Sequence, residues 1–233
     1  MANNLRKFDT YAEYSAATLV KPAVSLIEET DGVIFDPKDE APMLGDIRLT
    51  FNISDTVNET LIYNTGGASE GGEEASEGGE DSEGSGGSFV PSAMWVDGVS
   101  VTPINSYRFL TAGLHTVDLG LSDGEMPENL LGYVEMVKVE IGNGVTTIEA
   151  DACSYCYSLT SCTIGSGITN IGNSAFASNT ALTSVTIYAT TPPTLGFTVF
   201  HNSTCPIYVP SASVNAYKAA TNWSDYSSRI QAI

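Results

Sequence analysis

LTSCTIGSGITNIGNSAFASNTALTSVTI, residues 159–187, carries one apolar pattern twice. Leu159 and Leu182 stand 23 positions apart, as do Cys162 and Val185, and Ile164 and Ile187. Working backwards, Met136, Val139 and Ile141 precede them by the same step. Val145 with Ile168, Ile148 with Ile171, Ala152 with Ala175 and Cys153 with Phe176 keep it too. A fixed period of this length signals a solenoid, in which each unit buries its apolar side only against its neighbours. In each unit Leu159-x-x-Cys162-x-Ile164 reads as a short strand and Gly165-Ser166-Gly167 as a turn. Ile168-x-x-Ile171 covers the next side, and Ala175-Phe176 plugs the interior. From residue 136 this gives about two full repeats and a closing segment. Three or more units are usually needed for stability. The remaining burial is therefore expected from β strands upstream, from a helix starting near Ser213, or from identical subunits alongside.

Upstream, Leu49, Phe51 and Ile53 alternate with Arg48, Thr50 and Asn52, the period of a half-buried strand. Leu61-Ile62-Tyr63 is a second candidate. Ala93–Val96 and Val99–Val101 flank Asp97-Gly98, a hairpin signal. Tyr107–Phe109 and His115–Leu119 are expected to form a further pair around Ala112-Gly113. These short strands predict a small antiparallel, sandwich-like β domain over 46–130. Inserted in it is a tract, residues 66–88, of nine glycines, five serines and seven acids with no base. It has nothing apolar with which to offset the cost of ordering, so a flexible acidic loop is expected. Residues 1–45 read as a separate segment. Thr10-Tyr11-Ala12-Glu13 fits a capping box opening a short helix, and Val24–Ile27 and Val33–Phe35 flank an Asp31-Gly32 turn.

The predicted class is therefore mainly β: an N-terminal segment of helix plus hairpin (1–45), the β domain (46–130), and a short solenoid with a helical cap (131–233). With 28 acidic and 9 basic residues the net charge is −19, which repels a phosphate backbone and excludes nucleic acid as a partner. No apolar run suits membrane insertion or a signal peptide. Cys153-Ser154-Tyr155-Cys156 has a metal or redox spacing, yet Cys153 fills the slot of Phe176 and Cys156 that of Asn179, so buried structural thiols are expected. No motif for phosphate, dinucleotide, zinc or nucleophilic catalysis is present. No enzyme activity and no cofactor are expected. The candidate ligand face is the outward side of the solenoid strands: Lys138 and Glu140, Ser161 and Thr163, Ser184 and Thr186, with Tyr188 at the edge.

The segments 159–187 and VEIGNGVTTIEADACSYCYSLTSC (139–162) resemble BspA-like leucine-rich repeats, abundant in gut Bacteroidales and their phages. The stretch from Leu182 to Ile233 resembles the closing cap of such arrays. SAMWVDGVSVTPINSYRFLTAGLHTVDLGL (92–121) is similar to a module that often precedes them. KPAVSLIEETDGVIFDP (21–37) resembles virion-anchoring regions of structural proteins from Bacteroides phages, crAss-like ones included. The resemblance implies a non-enzymatic virion protein, a head fibre or capsid decoration. It would attach to capsid or portal-vertex proteins through Tyr11, Tyr14, Val24, Leu26, Ile27, Val33, Ile34 and Phe35. On the virion surface it would meet host glycan, mucus or protein; the short array and the symmetry of fibres add the expectation of a homotrimer. A bacterial surface adhesin, a carbohydrate-binding module or a tail-associated receptor-binding protein are the alternatives.

Overall fold

The computed structural model describes residues 45–54, 58–64 and 89–233. The expected N-terminal helix and hairpin and the acidic tract lie outside these residues. In chain order the strands are β1 (Ile47–Ile53), β2 (Thr60–Leu61), β3 (Ala93–Val96), β4 (Val99–Val101), β5 (Ser106–Tyr107), β6 (Gly113–Gly120) and β7 (Glu125–Met126). There follow β8 (Lys138–Ile141), β9 (Thr147–Ile148), β10 (Ser161–Ile164), β11 (Asn170–Ile171), β12 (Ser184–Ile187), β13 (Thr194–Leu195) and β14 (Ile207–Val209). A helix α1 (Val214–Ala219) and a last strand β15 (Ile230–Ala232) complete the chain.

The repeat produces parallel stacking in the predicted register. Cys162 pairs with Val139 on one side and Val185 on the other, so equivalent residues of successive units sit side by side. A second ladder runs β7-β9-β11-β13, aligning Met126, Ile148, Ile171 and Leu195. A third side is built of turns, where the N–H groups of Leu131, Cys153 and Phe176 donate to carbonyls of the following coil at Ala152, Ala175 and Val199. The interior between these sides is filled by the periodic apolar residues, all buried, with Phe176 stacked on Phe200 at 5.8 Å.

Coil stacking begins earlier than residue 136. The second ladder opens at Glu125, and the turn side at Asn129, whose N–H donates to the Ala150 carbonyl. Its sequence signal is broken because this unit is one residue short. Val134 to Cys156 is 22 positions, whereas Met136 to Leu159 is 23.

The β domain continues the same sheet. The large sheet has the order β15-β14-β12-β10-β8-β1-β6-β3-β4, with β1 antiparallel to both β8 and β6. One hydrogen-bonded sheet thus contains strands from both sides of position 130. The β3–β4 hairpin forms as expected, with Asp97 and Gly98 both at positive φ (48° and 77°), the turn whose twist matches the flanking strands. The pairing expected between Tyr107–Phe109 and His115–Leu119 does not form. Both edges of β6 are taken by β1 and β3, and β5 pairs instead with β2. Alternation marks a strand but does not name its partner. Arg48, expected on the polar face, is buried there. Its Nε and Nη2 donate to the two carboxylate oxygens of Asp118, directly opposite on β6, at 2.7 and 2.8 Å. This bidentate geometry satisfies both charges away from water.

The coils approach so closely at the first turn that side chains are excluded. A Cβ at Gly165 would lie 2.6 Å from the Gly142 carbonyl carbon, and one at Gly167 would strike the Asn143 carbonyl oxygen. Gly167→Ala is therefore expected to destabilise by about 1–3 kcal/mol through overpacking, read as a lowered urea midpoint.

Candidate functional site

The strand face places the residues singled out from sequence in two straight rows. Lys138, Ser161 and Ser184 form one, and Glu140, Thr163 and Thr186 the other, continued by Tyr208. Row neighbours stand about 4.8 Å apart, the spacing of hydrogen-bonded strands. The six are half-buried, and Lys138 Nζ sits 3.2 Å from Glu140 Oε1. Tyr188, one residue past β12, is exposed. The face is flat and rich in hydroxyls, suited to shallow hydrogen bonding. The attachment residues Tyr11, Tyr14, Val24, Leu26, Ile27, Val33, Ile34 and Phe35 lie outside the described residues.

At the corners, threonines tie one coil to the next. Thr160 Oγ1 donates to the Val137 carbonyl and Thr183 Oγ1 to that of Thr160, each at 2.8 Å. At the C-terminal end the exposed coil edge leaves carbonyls with no further coil to meet. The cap supplies donors for them: Tyr217 Oη to Ala189, Ser213 Oγ to Thr190, Trp223 Nε1 to Pro193 and Asn222 Nδ2 to Leu195. The cap thus satisfies these four carbonyls at the C-terminal end of the stack.

The four cysteines are free and buried. Cys153 and Cys156 place their sulfurs 3.8 Å apart, and the Cys156 thiol donates to the Leu131 carbonyl at 2.9 Å. Among the described residues no group of three or more His, Cys, Asp or Glu side chains is placed to hold a metal. Burial pushes the Cys153 and Cys162 thiols upward, reinforced at Cys153 by the Cys156 hydrogen bond, and burial does the same to the Tyr217 phenol. Each group binds its proton more tightly folded than unfolded. The associated stability is complete below the ordinary values of 9.0 for cysteine and 10.0 for tyrosine, and is lost progressively as pH rises above them towards the raised folded-state values. Urea midpoints measured across a pH series should therefore fall above pH 9, and Cys153 and Cys162 should resist alkylation until the protein unfolds.

His115 and His201 remain apart. His115 places one ring nitrogen 2.7 Å from Asp97 Oδ2 and the other 2.9 Å from the Thr111 carbonyl, fastening the β3–β4 turn to β6. His201 lines an open cavity of about 570 Å³ between the last coil and the cap, with Asp225, Tyr226 and Arg229. Sequence spacing gave no sign of this cavity, because one wall comes from the last coil and the other from the cap, which lies outside the repeat. A second feature missed from sequence lies on the turn side. Tyr133 and Tyr155 stack at 4.9 Å with ring planes 3° apart, and Tyr157 meets Tyr155 at 69°. These tyrosines occupy equivalent slots, offset by 22 residues because of the short unit.

The three-sided coil, its in-register rows and its closing cap are what a leucine-rich repeat of short units produces. Residues 98–206 match the model of the BspA type leucine-rich repeat region, in six copies. A region of this type is present, then, and reaches back to Gly98, well before the periodicity is visible by eye. Regions of this type are generally binding or adhesion modules. No curated protein matches the chain. Among the described residues, no helix is long and apolar enough to cross a membrane.

Proposed function

We propose that this protein is a non-enzymatic structural component of a bacteriophage particle, a head fibre or other capsid decoration. It displays its BspA-like solenoid outward and adheres to host-surface glycan, mucus or protein. The carrying observation is the solenoid itself: a stacked body, capped at its C-terminal end, that spends its periodic apolar residues internally and presents a hydroxyl-rich strand face. Surfaces of this kind bind weakly per copy. Many copies on one particle, or three in a trimer, convert weak contacts into avidity by raising effective concentration. The likeness of residues 21–37 to virion-anchoring regions supports attachment through residues 1–45 to capsid or portal-vertex proteins.

The repeat region fits a bacterial surface adhesin equally, and that is the second reading. Mass spectrometry of purified particles separates the two. Recovery in stoichiometric amounts from intact virions is expected. Recovery from the bacterial cell surface, with none in particles, would transfer the protein to the second reading. Light scattering of the isolated chain tests the trimer, and a stable monomer would remove it.

A further inference from the structure

Two sides of each coil carry strands in ordinary extended conformation. The turn side does not. There each coil holds two residues in the left-handed region: Asn129 and Tyr133, Asp151 and Tyr155, Ser174 and Ser178, Thr198 and Asn202, with φ between 53° and 62°. Asparagine and aspartate reach this region at modest cost because their short polar side chains bond locally, while serine and the β-branched Thr198 do so less readily. A bulky aromatic has no such compensation, and strained positions of this kind concentrate where a surface is used. Tyr133 and Tyr155 nevertheless occupy it, and with Tyr157 they remain 63%, 37% and 56% exposed.

The tyrosines begin a continuous row. It passes through Ser178 and Asn202, joined by a hydrogen bond from Asn202 Nδ2 to Ser178 Oγ at 3.3 Å, and ends in the cavity lined by His201, Asp225, Tyr226 and Arg229. Three inter-coil steps separate Tyr133 from Asn202, a span of about 15 Å. In the cavity Arg229 is fixed in place. Its Nε donates to the Cys205 carbonyl, Nη2 to Ser203 Oγ, and its guanidinium lies 5.3 Å from the Tyr226 ring centre. Arg229 and Asp225 balance in charge, so the cavity offers donors and acceptors without favouring an ion. In a chain of net charge −19, an anionic ligand would gain nothing from the surroundings.

We infer that this turn side is the ligand-binding surface and that its ligand is an extended neutral oligosaccharide. The apolar faces of its sugar rings lie against the tyrosines, and its far end sits in the cavity, hydrogen-bonded to His201, Asn202 and Asp225. The inference rests on the adhesive reading above and names its ligand class and face.

The test uses the full chain, fluorescently labelled, on immobilised neutral glucan, mannan and xylan oligosaccharides of two to eight sugars. Binding to at least one series is expected, with hexamers held about tenfold more tightly than dimers. Tyr133→Asn with Tyr155→Asn installs the residue that Asn202 already provides at the same backbone position, so the fold survives. Loss of two ring contacts should weaken binding about tenfold. Leu110→Ser, at an exposed position between β5 and β6, is the control and should leave binding unchanged. Thermal midpoints of both variants confirm folding. If the tyrosine variant binds as tightly as the wild type, the inferred face is wrong. If no oligosaccharide binds while the protein still adheres to host cells, the ligand class falls and the adhesive reading stands. If neither occurs, both fall.

Discussion

Asn179→Ala is expected to destabilise the protein by about 3–5 kcal/mol, because one buried side chain satisfies three backbone groups. Asn179 is fully buried between coils. Its Oδ1 accepts from the Cys156 N–H at 2.8 Å, and its Nδ2 donates to the carbonyls of Cys153 and Phe176 at 2.9 and 3.2 Å. Alanine removes these partners without admitting water, and each stranded group costs about 1–3 kcal/mol. The preceding coil supplies an internal control. At the equivalent slot the Cys156 thiol donates to Leu131, just as Asn179 donates to Cys153. Asn179→Cys should restore that donation but leave the Cys156 N–H without its acceptor, and so fall between wild type and alanine. Chemical denaturation of the three proteins checks the order. Equal stability of the cysteine and alanine variants would show that the donation to Cys153 contributes nothing.

Trp223→Ala should cost about 3–5 kcal/mol, the range for truncating a buried large aromatic, and should also open the end of the solenoid. Trp223 is fully buried, packs on Tyr217 and Phe200 with ring centres at 4.9 and 6.3 Å, and donates to the Pro193 carbonyl at 2.8 Å. Trp223→Phe keeps most of the packing and loses the N–H and part of the ring, for about 1–3 kcal/mol. The alanine variant is expected to self-associate on size-exclusion chromatography at concentrations where the phenylalanine variant stays dispersed. A mere drop in thermal midpoint, with unchanged elution for both, would limit the cap's role to packing.

The solenoid was legible because its period is a local regularity: residues 23 apart make equivalent contacts, so the parallel register follows from counting. Where the count slips, legibility ends. The missing residue between Val134 and Met136 hides the equivalence of Tyr133 with Tyr155, and with it the stacked pair. The rows of Ser161, Thr163, Ser184 and Thr186 follow from strand alternation alone, whereas the cavity needs the fold, since His201 and Arg229 meet only when the cap closes. The β domain's hairpin at Asp97-Gly98 was readable because turn chemistry is local. The pairing of β1 with β8 was not, because an apolar strand of alternating pattern accepts any edge, and the choice is made by the surrounding core. Arg48 was placed on the polar face from its type. It stands on that face, but Asp118, 70 positions away, neutralises the guanidinium so that it is buried there.

The position of Ile47–Ile53 between two antiparallel neighbours has a consequence for how the chain is made. Its partners are Gly113–Gly120 and Lys138–Ile141, both synthesised well after it. Until they emerge from the ribosome, an apolar ribbon waits with both edges unpaired, a template for wrong pairing with other nascent chains. A chain cut before Ile141 would keep one such edge permanently open. Truncations that remove the coils are therefore expected to yield inclusion bodies, and dissection from the C-terminal side is a poor route to an isolated fragment.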